Sequence, residues 1–337
     1  MNISNTRNLR KINQEKIINA LINRDACTKN ELSTLTGLSL GSVNNIVADL
    51  LKSHQVIESG YAKSTGGRPS KHYELNSNYS KNLCLSIFKN SNRIHLVYRV
   101  YNLKDELLME NRIVKPKISI EDIYEILDSV LEKIENIKVI GVSIPGIIKD
   151  EKVISTGIDN FNEINIIQLL KEKYEQKIIF GNDVNTAAIG FYLDQENYED
   201  ICLLFQPANH CAGVGIIVNG RMLKGMNNLA GEVQYLPIDL TDNMEILLNS
   251  KKGHEELITR YTQSIIAMLN PQAIGICSTI VDDYSNIKEN LNNIFEKEEL
   301  PELIKIHDLI EYIMWGINLL CKDSLKSNLT ITKKTIM

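Results

Sequence analysis

The residues best suited to chemistry fall in one run, Gly181-Asn182-Asp183-Val184-Asn185-Thr186-Ala187-Ala188, delivered by the apolar segment Lys177-Ile178-Ile179-Phe180. An amide and a carboxylate side by side at the end of a buried strand can give and accept hydrogen bonds. In open α/β sheets that carboxyl-terminal edge is where small ligands bind. The same pair of residue types forms turns and caps helices, an equally good local reading. A further carboxylate, Glu232, follows Gly231 in Leu229-Ala230-Gly231-Glu232. On its own it reads equally as a surface acid.

A different chemistry is written near the start of the chain. Val43, Ile46, Val47, Leu50 and Leu51 recur at helical spacing and predict a buried stripe. The opposite face carries Ser39, Ser42, Asn44 and Asn45, short hydrogen-bonding side chains. Asparagine pairs bidentately with adenine, and serine contacts bases or phosphates. Before this helix, Thr28-Lys29-Asn30-Glu31 has the capping-box pattern, Leu32 and Leu35 supply an apolar face, and Gly37 suits a helix stop. A first helix is expected over 13–24. After the third, Val56–Tyr61 and Ser70–Leu75 read as two strands around a Gly66-Gly67 turn, with Lys63, Thr65, Arg68 and Lys71 at or near its tip. Two helices joined by a short turn and followed by a basic hairpin predict a winged helix-turn-helix that meets DNA.

Composition places limits on both readings. The 337 residues carry 37 Lys+Arg and 42 Asp+Glu, a net charge of −5, with 43% hydrophobic residues. Length and composition suit about two globular domains. The charge is uneven, with 11 basic and 6 acidic residues in 1–82 and an acidic excess thereafter. That asymmetry points to a polyanionic partner for the small part only. No apolar run approaches a membrane span, and MNISNTRNLRK lacks the apolar core of a secretory signal. The six cysteines (27, 84, 202, 211, 277 and 321) show neither a C-x-x-C pair nor metal-ligand spacing, so free thiols in the cytoplasm are expected.

The rest of the chain alternates strands and helices, the mark of an α/β body. Residues 77–82 are polar and are read as a linker. Strands are expected at 83–88, 94–100, 138–144, 177–180, 201–205 and 213–218, and helices at 121–136 and near 164–175. The stretches 254–269 and 302–325 are expected to be mostly helical. Asn219-Gly220 reads as a hairpin turn.

These motifs resemble the ROK family (repressors, open reading frames, kinases). Residues 5–76, and the run Ser64-Thr65-Gly66-Gly67-Arg68-Pro69 above all, are similar to the wing-bearing head of its repressors. Ile144-Pro145-Gly146, Asn182-Asp183-Val184-Asn185, Gly215–Gly220 and Ala230-Gly231-Glu232 stand in the order of the family's sugar-kinase-like domain, whose fold is that of actin and hexokinase. The resemblance implies that Asn182, Asp183 and Glu232 contact sugar hydroxyls, with Asp183 at the general-base position, and that Glu256 is a further ligand contact; the residue alone reads more readily as a helix-surface acid.

Several family features are replaced. The kinases open this domain with Asp-x-Gly-Gly-Thr, yet no Asp or Gly occurs between Leu83 and Lys104. Asn209-His210-Cys211 stands where they carry Gly-Thr-Gly, and the adenosine-side glycine pair is missing near Ile274–Ser278. The family's zinc-binding His and cysteines fall on Tyr235, Leu247, Asn249 and His254; Gly253 and Glu256 retain the family residues. His210 and His254 are read as ordinary polar residues. Phosphate loops depend on glycine to bring backbone amides close to oxygens.

The sequence therefore predicts a head at 1–76, a linker at 77–82 and a two-lobed body at 83–337. The expected protein is a DNA-binding regulator of carbohydrate metabolism, a repressor tuned by a small sugar-type ligand, with no metal, cofactor or kinase activity. It is expected to act as a homodimer or a dimer of dimers on an operator. The alternatives are a sugar kinase with a DNA-binding head, and a repressor whose body only dimerises.

Overall fold

Two side-chain caps organise the amino-terminal module. The Thr28 amide donates to Glu31 Oε2 at 2.7 Å and the Glu31 amide to Thr28 Oγ1 at 3.3 Å, starting helix α2 (Lys29–Thr36). Gly37, at φ 68°, ends that helix, and Ser39 accepts from the Ser42 amide at 3.2 Å to start α3 (Leu40–Lys52). The structure, a computed structural model, describes residues 3–22, 24–61, 69–90, 93–149, 151–154, 156–158, 161–162, 164–238 and 244–325. Lys63, Thr65 and Arg68 lie outside the described residues.

Helix α1 (Ile3–Ile22) begins ten residues earlier than the apolar periodicity predicts. Its first part has no apolar stripe, but it also contains no proline or glycine to stop a helix. Ile17 and Leu21 pack with Leu32, Val43, Ile46, Val47 and Leu50 beneath a sheet of order β1 (Cys27–Thr28), β3 (Lys71–Leu75) and β2 (Val56–Tyr61). Leu103 from the body packs on this core, and its amide donates to Ser77 O at 3.1 Å.

The body contains two five-stranded sheets. In the first, β4 (Lys81–Asn90), β5 (Arg93–Asn102) and β6 (Leu107–Lys115) form an antiparallel meander. To it β7 (Ile137–Ile144) and β10 (Lys177–Asn182) add in parallel, giving the order β10-β7-β4-β5-β6. β4 starts inside the stretch read as linker, with Asn82 buried and donating to Asn318 Oδ1 at 2.9 Å. Helices α4 (Ile120–Lys133) and α5 (Ile166–Lys173) cover one face of this sheet through Ile123, Leu127, Val130, Ile166 and Leu170. A short hairpin, β8 (Ile147–Lys149) with β9 (Lys152–Ile154), follows β7.

The second sheet has the order β13 (Arg221–Met222), β12 (Gly213–Val218), β11 (Ile201–Gln206), β14 (Ala273–Ser278), β15 (Glu302–Lys305). Asn219 and Gly220 have φ of 50° and 68°, the left-handed pair that a two-residue hairpin uses. Helices α8 (Lys251–Leu269) and α9 (Ser285–Asn292) cover its outer face, and α7 (Met244–Asn249) leads into α8. The 302–325 stretch is helical only from α10 (Leu309–Ser324). Its first residues form β15, because they pair in parallel with β14, a long-range contact that overrides local helix propensity.

Helices α6 (Asp183–Asp194) and α10 lie between the sheets. Met314, Ile317 and Cys321 of α10 pack on the first sheet; Val184, Ala187 and Phe191 of α6 pack on the second. The two helices touch backbone to backbone. A Cβ on Gly316 would sit 1.9 Å from Thr186 O, and one on Gly190 would sit 2.0 Å from Tyr312 O.

Candidate functional site

Asn182 is the last residue of β10, paired with Ile144 at the end of β7, and also the N-cap of α6. Its Oδ1 accepts from the Asn185 amide at 3.0 Å, and its Nδ2 donates to Gly146 O at 2.8 Å. The two sequence readings are therefore compatible: the cap fixes the asparagine, and the Pro145-Gly146 turn is tied to it. Gly146, at φ 107°, brings its carbonyl there, and a Cβ would meet Ile154 O at 2.9 Å.

Asp183 follows in the first turn of α6 and is 9% exposed. Burial pushes its carboxyl up to about 6; the Val184 amide, donating at 2.9 Å, opposes the rise, and the charge of Glu232 adds to it. Glu232 is half-buried and raised as well, by burial, with Gln234 Nε2 donating to it at 3.2 Å. Glu232 also raises Cys211, after burial. The fold thus brings Glu232 within electrostatic reach of both Asp183 and Cys211.

The glycine before Glu232 explains its placement. At φ 90°, Gly231 accepts from the Val214 amide at 3.0 Å, and a Cβ would fall 1.8 Å from Val214 O. Only glycine lets this loop lie flat on β12 and hold the carboxylate beside Asp183. The same loop reaches the β8–β9 hairpin that follows β7, where Asn228 Nδ2 donates to Ile148 O at 2.7 Å. Sequence reasoning missed Asn228; its φ of 56° suits an asparagine in a turn, but nothing local signals the distant carbonyl.

Glu256 does not join this group. It lies on α8 in an i,i+4 ion pair with Arg260 at 2.5 Å, the helix-surface role of such a residue. His254 differs from the ordinary polar residue expected. It is fully buried, with Nε2 2.9 Å from Leu248 O and Nδ1 2.9 Å from Ser278 Oγ. A carbonyl only accepts, so Nε2 carries the proton and Nδ1 accepts from Ser278. Burial depresses its pKa. His254 of α8 is thus tied to Leu248 of α7, with burial disfavouring its charged form.

The β4–β5 turn and the 207–211 loop are set by hydrogen bonds of the chain itself. β4 and β5 pair without irregularity from Lys81–Asn102 to Asn90–Arg93, leaving two residues between them. In the 207–211 loop the Ala208 amide donates to Thr279 Oγ1 at 2.8 Å and the Asn209 amide to Leu248 O at 3.2 Å. Gln206 Nε2 holds the carbonyls of Pro207 and His210 at 2.9 and 3.0 Å. The Ala208 and Asn209 amides are therefore committed within the chain.

At the amino-terminal module, α3 buries Val43, Ile46, Val47 and Leu50 and exposes Ser39, Asn44 and Asn45, with Ser42 half-buried. A cavity of about 540 Å³ runs between α1 and α3, lined by Arg10, Asn13, Asn45, Asp49 and Lys52 among others. Among the described residues no cluster of His, Cys, Asp or Glu could hold a metal ion, and no helix is long and apolar enough to cross a membrane.

Paired sheets around α6 and α10, with an Asn-Asp pair at the strand edge, define the sugar-kinase-like α/β fold. Residues 94–254 match the ROK family, and the chain carries a ROK family domain. The xylose repressor of Bacillus subtilis (strain 168) is 24% identical over 246 residues, covering 71% of this chain and 64% of that repressor. The chain thus spans less than two thirds of that relative's length. The xylose repressor of Staphylococcus xylosus is 24% identical over 354 residues, covering 88% of this chain and 89% of its own. Among solved structures, a ROK family transcriptional regulator, a homolog of the E. coli MLC protein, aligns over 94% of this chain and 98% of its own, with a TM-score of 0.68 and 16% identity. That likeness is one of fold.

Proposed function

We propose that this protein is a sugar-responsive, DNA-binding transcription regulator, a repressor, that does not phosphorylate its sugar. Residues 1–76 form its winged helix-turn-helix head and 83–337 its effector body. The observation that supports the reading is a three-helix amino-terminal module with the β1-β3-β2 sheet joined to a ROK-like body, in a fold shared with a ROK transcriptional regulator over 94% of the chain. The polar outer face of α3 supports DNA contact, with Ser39, Ser42, Asn44 and Asn45 presented while the opposite stripe holds the core. Lys63, Thr65 and Arg68, outside the described residues, are the further DNA contacts of this reading.

In the body, Asn182, Asp183 and Glu232 are the ligand contacts. Xylose is the first sugar to try, because two relatives are named for it. A carboxylate accepts hydrogen bonds from sugar hydroxyls, and Asp183 is ionised for that role above pH about 6. Sugar bound at the foot of α6 meets groups from both sheets, so it favours one arrangement of the two lobes and thereby alters the head. The committed amides at 208–209 and the tight β4–β5 hairpin support the absence of phosphoryl transfer.

The head is tested by selecting DNA from a random library with the full-length protein and measuring affinity by anisotropy. Asn45→Ala is expected to weaken the selected site roughly tenfold while leaving binding to unrelated DNA unchanged. Equal loss on both DNAs, or no selection at all, would refute base reading by α3.

A further inference from the structure

Strand β6 is an edge. It pairs with β5 on one side, and no strand among the described residues pairs with the other. Proteins usually blunt such edges, because a free row of N–H and C=O groups recruits another strand. At one end an irregularity between the pairs Val100–Met109 and Tyr101–Leu107 makes Leu108 the extra residue of a bulge, and along the rest the charges on the edge are of both signs. From Met109 to Ile113 the strand is regular.

The side chains of that segment are chemically palindromic. Glu110 and Arg112 are exposed on one face; Glu110 accepts from Arg99 Nε at 2.7 Å, and Arg112 Nη2 lies 3.1 Å from His95 Nδ1. Met109 and Ile113 lie on the opposite face, half-buried against the first core. Asn111 stands at the centre.

We infer that two copies of this chain associate through β6, antiparallel, about a two-fold axis at Asn111, joining their first sheets into one continuous sheet. In that register Glu110 of each copy faces Arg112 of the other, and Met109 faces Ile113. Directly opposed strand residues interact strongly enough for opposite charges to select a register and like charges to reject one. An axis at Glu110 or at Arg112 would set like charges face to face. A one-residue slip would oppose side chains from opposite faces of the sheet. The sequence therefore favours one register, and the bulge at Leu108 ends the ladder on both sides. The inference does not rest on the regulator reading, since neither DNA nor sugar enters it.

The test uses the full-length protein without DNA or sugar, by sedimentation velocity at low salt. Wild type is expected to sediment as a dimer. Arg112→Glu and Glu110→Arg, each alone, are expected to weaken association at least about tenfold, because each sets two like-charge pairs across the axis. An equimolar mixture of the two variants restores both attractions and is expected to recover the dimer. A wild-type monomer, an Arg112→Glu dimer as tight as wild type, or a mixture no tighter than its components would overturn the proposal. Because Glu110→Arg also removes a partner of Arg99, a second probe keeps the test independent of that variant. Asn111→Cys lies opposite its own copy and is expected to form a disulfide dimer under mild oxidation, whereas Met109→Cys is not. Absence of the Asn111→Cys cross-link would also overturn it.

Discussion

Gly316→Ala is expected to lower the stability of the body by at least about 3 kcal/mol, with a fall in Tm of roughly 6–12 °C. The added methyl would lie 1.9 Å from Thr186 O and 2.8 Å from Thr186 C, so the clash is with backbone, which cannot swing aside as a side chain can. Relief requires α6 and α10 to separate, and that opens the layer in which Met314, Ile317 and Cys321 meet the first sheet and Val184, Ala187 and Phe191 meet the second. The single tryptophan, Trp315, lies beside the crossing, with its ring 5.4 Å from that of Tyr312, and reports the transition by fluorescence. Gly157→Ala serves as the control, because a Cβ there meets nothing within 4 Å. An unchanged Tm for Gly316→Ala would show that the close crossing does not hold the two sheets together.

Asp183→Asn is expected to act in the opposite direction at neutral pH. The folded-state pKa of Asp183 is raised to about 6 from an ordinary value of 3.8, so between those values the folded chain binds more protons than the unfolded one. Stability contributed by this group is therefore lost as pH rises through that window, and above it the buried charge costs about 3 kcal/mol. Asparagine keeps the side-chain oxygen that accepts from the Val184 amide and removes the charge. Loss of a negative charge at the start of α6 returns about 0.5 kcal/mol of that gain. The net expectation at pH 7.5 is a variant more stable by about 2.5 kcal/mol, with the difference vanishing near pH 4. Thermal melts across pH 4–8 check it, and an asparagine variant no more stable than wild type at pH 7.5 would contradict it. A carboxylate whose charge weakens the fold where it stands is in keeping with the stability–function trade-off of a binding residue, as proposed for Asp183.

Much of this arrangement could be read in the sequence, and the failures have physical causes. The caps at Thr28 and Ser39, the stripe of α3 and the Asn219-Gly220 turn are local devices, decided by neighbours within a few residues. The Asn182-Asp183 pair was visible because a strand leads directly into it. By contrast, β6 has two exposed ends and no clean alternation, and β15 is defined only by pairing with β14. The reach of Asn228 to Ile148 and the pinning of His254 are contacts between distant segments. Glu256 carried two readings in the sequence, ligand contact and helix-surface acid, and its ion pair with Arg260 on α8 accords with the second.

The most direct test of the account is a sugar titration of the protein bound to its selected DNA, followed by anisotropy, with wild type and Asp183→Asn side by side. The account predicts that xylose or a related sugar shifts the DNA affinity of wild type severalfold at pH 7.5 and leaves that of Asp183→Asn unmoved. Wild-type affinity indifferent to every sugar offered, or an equal shift in the variant, would contradict it.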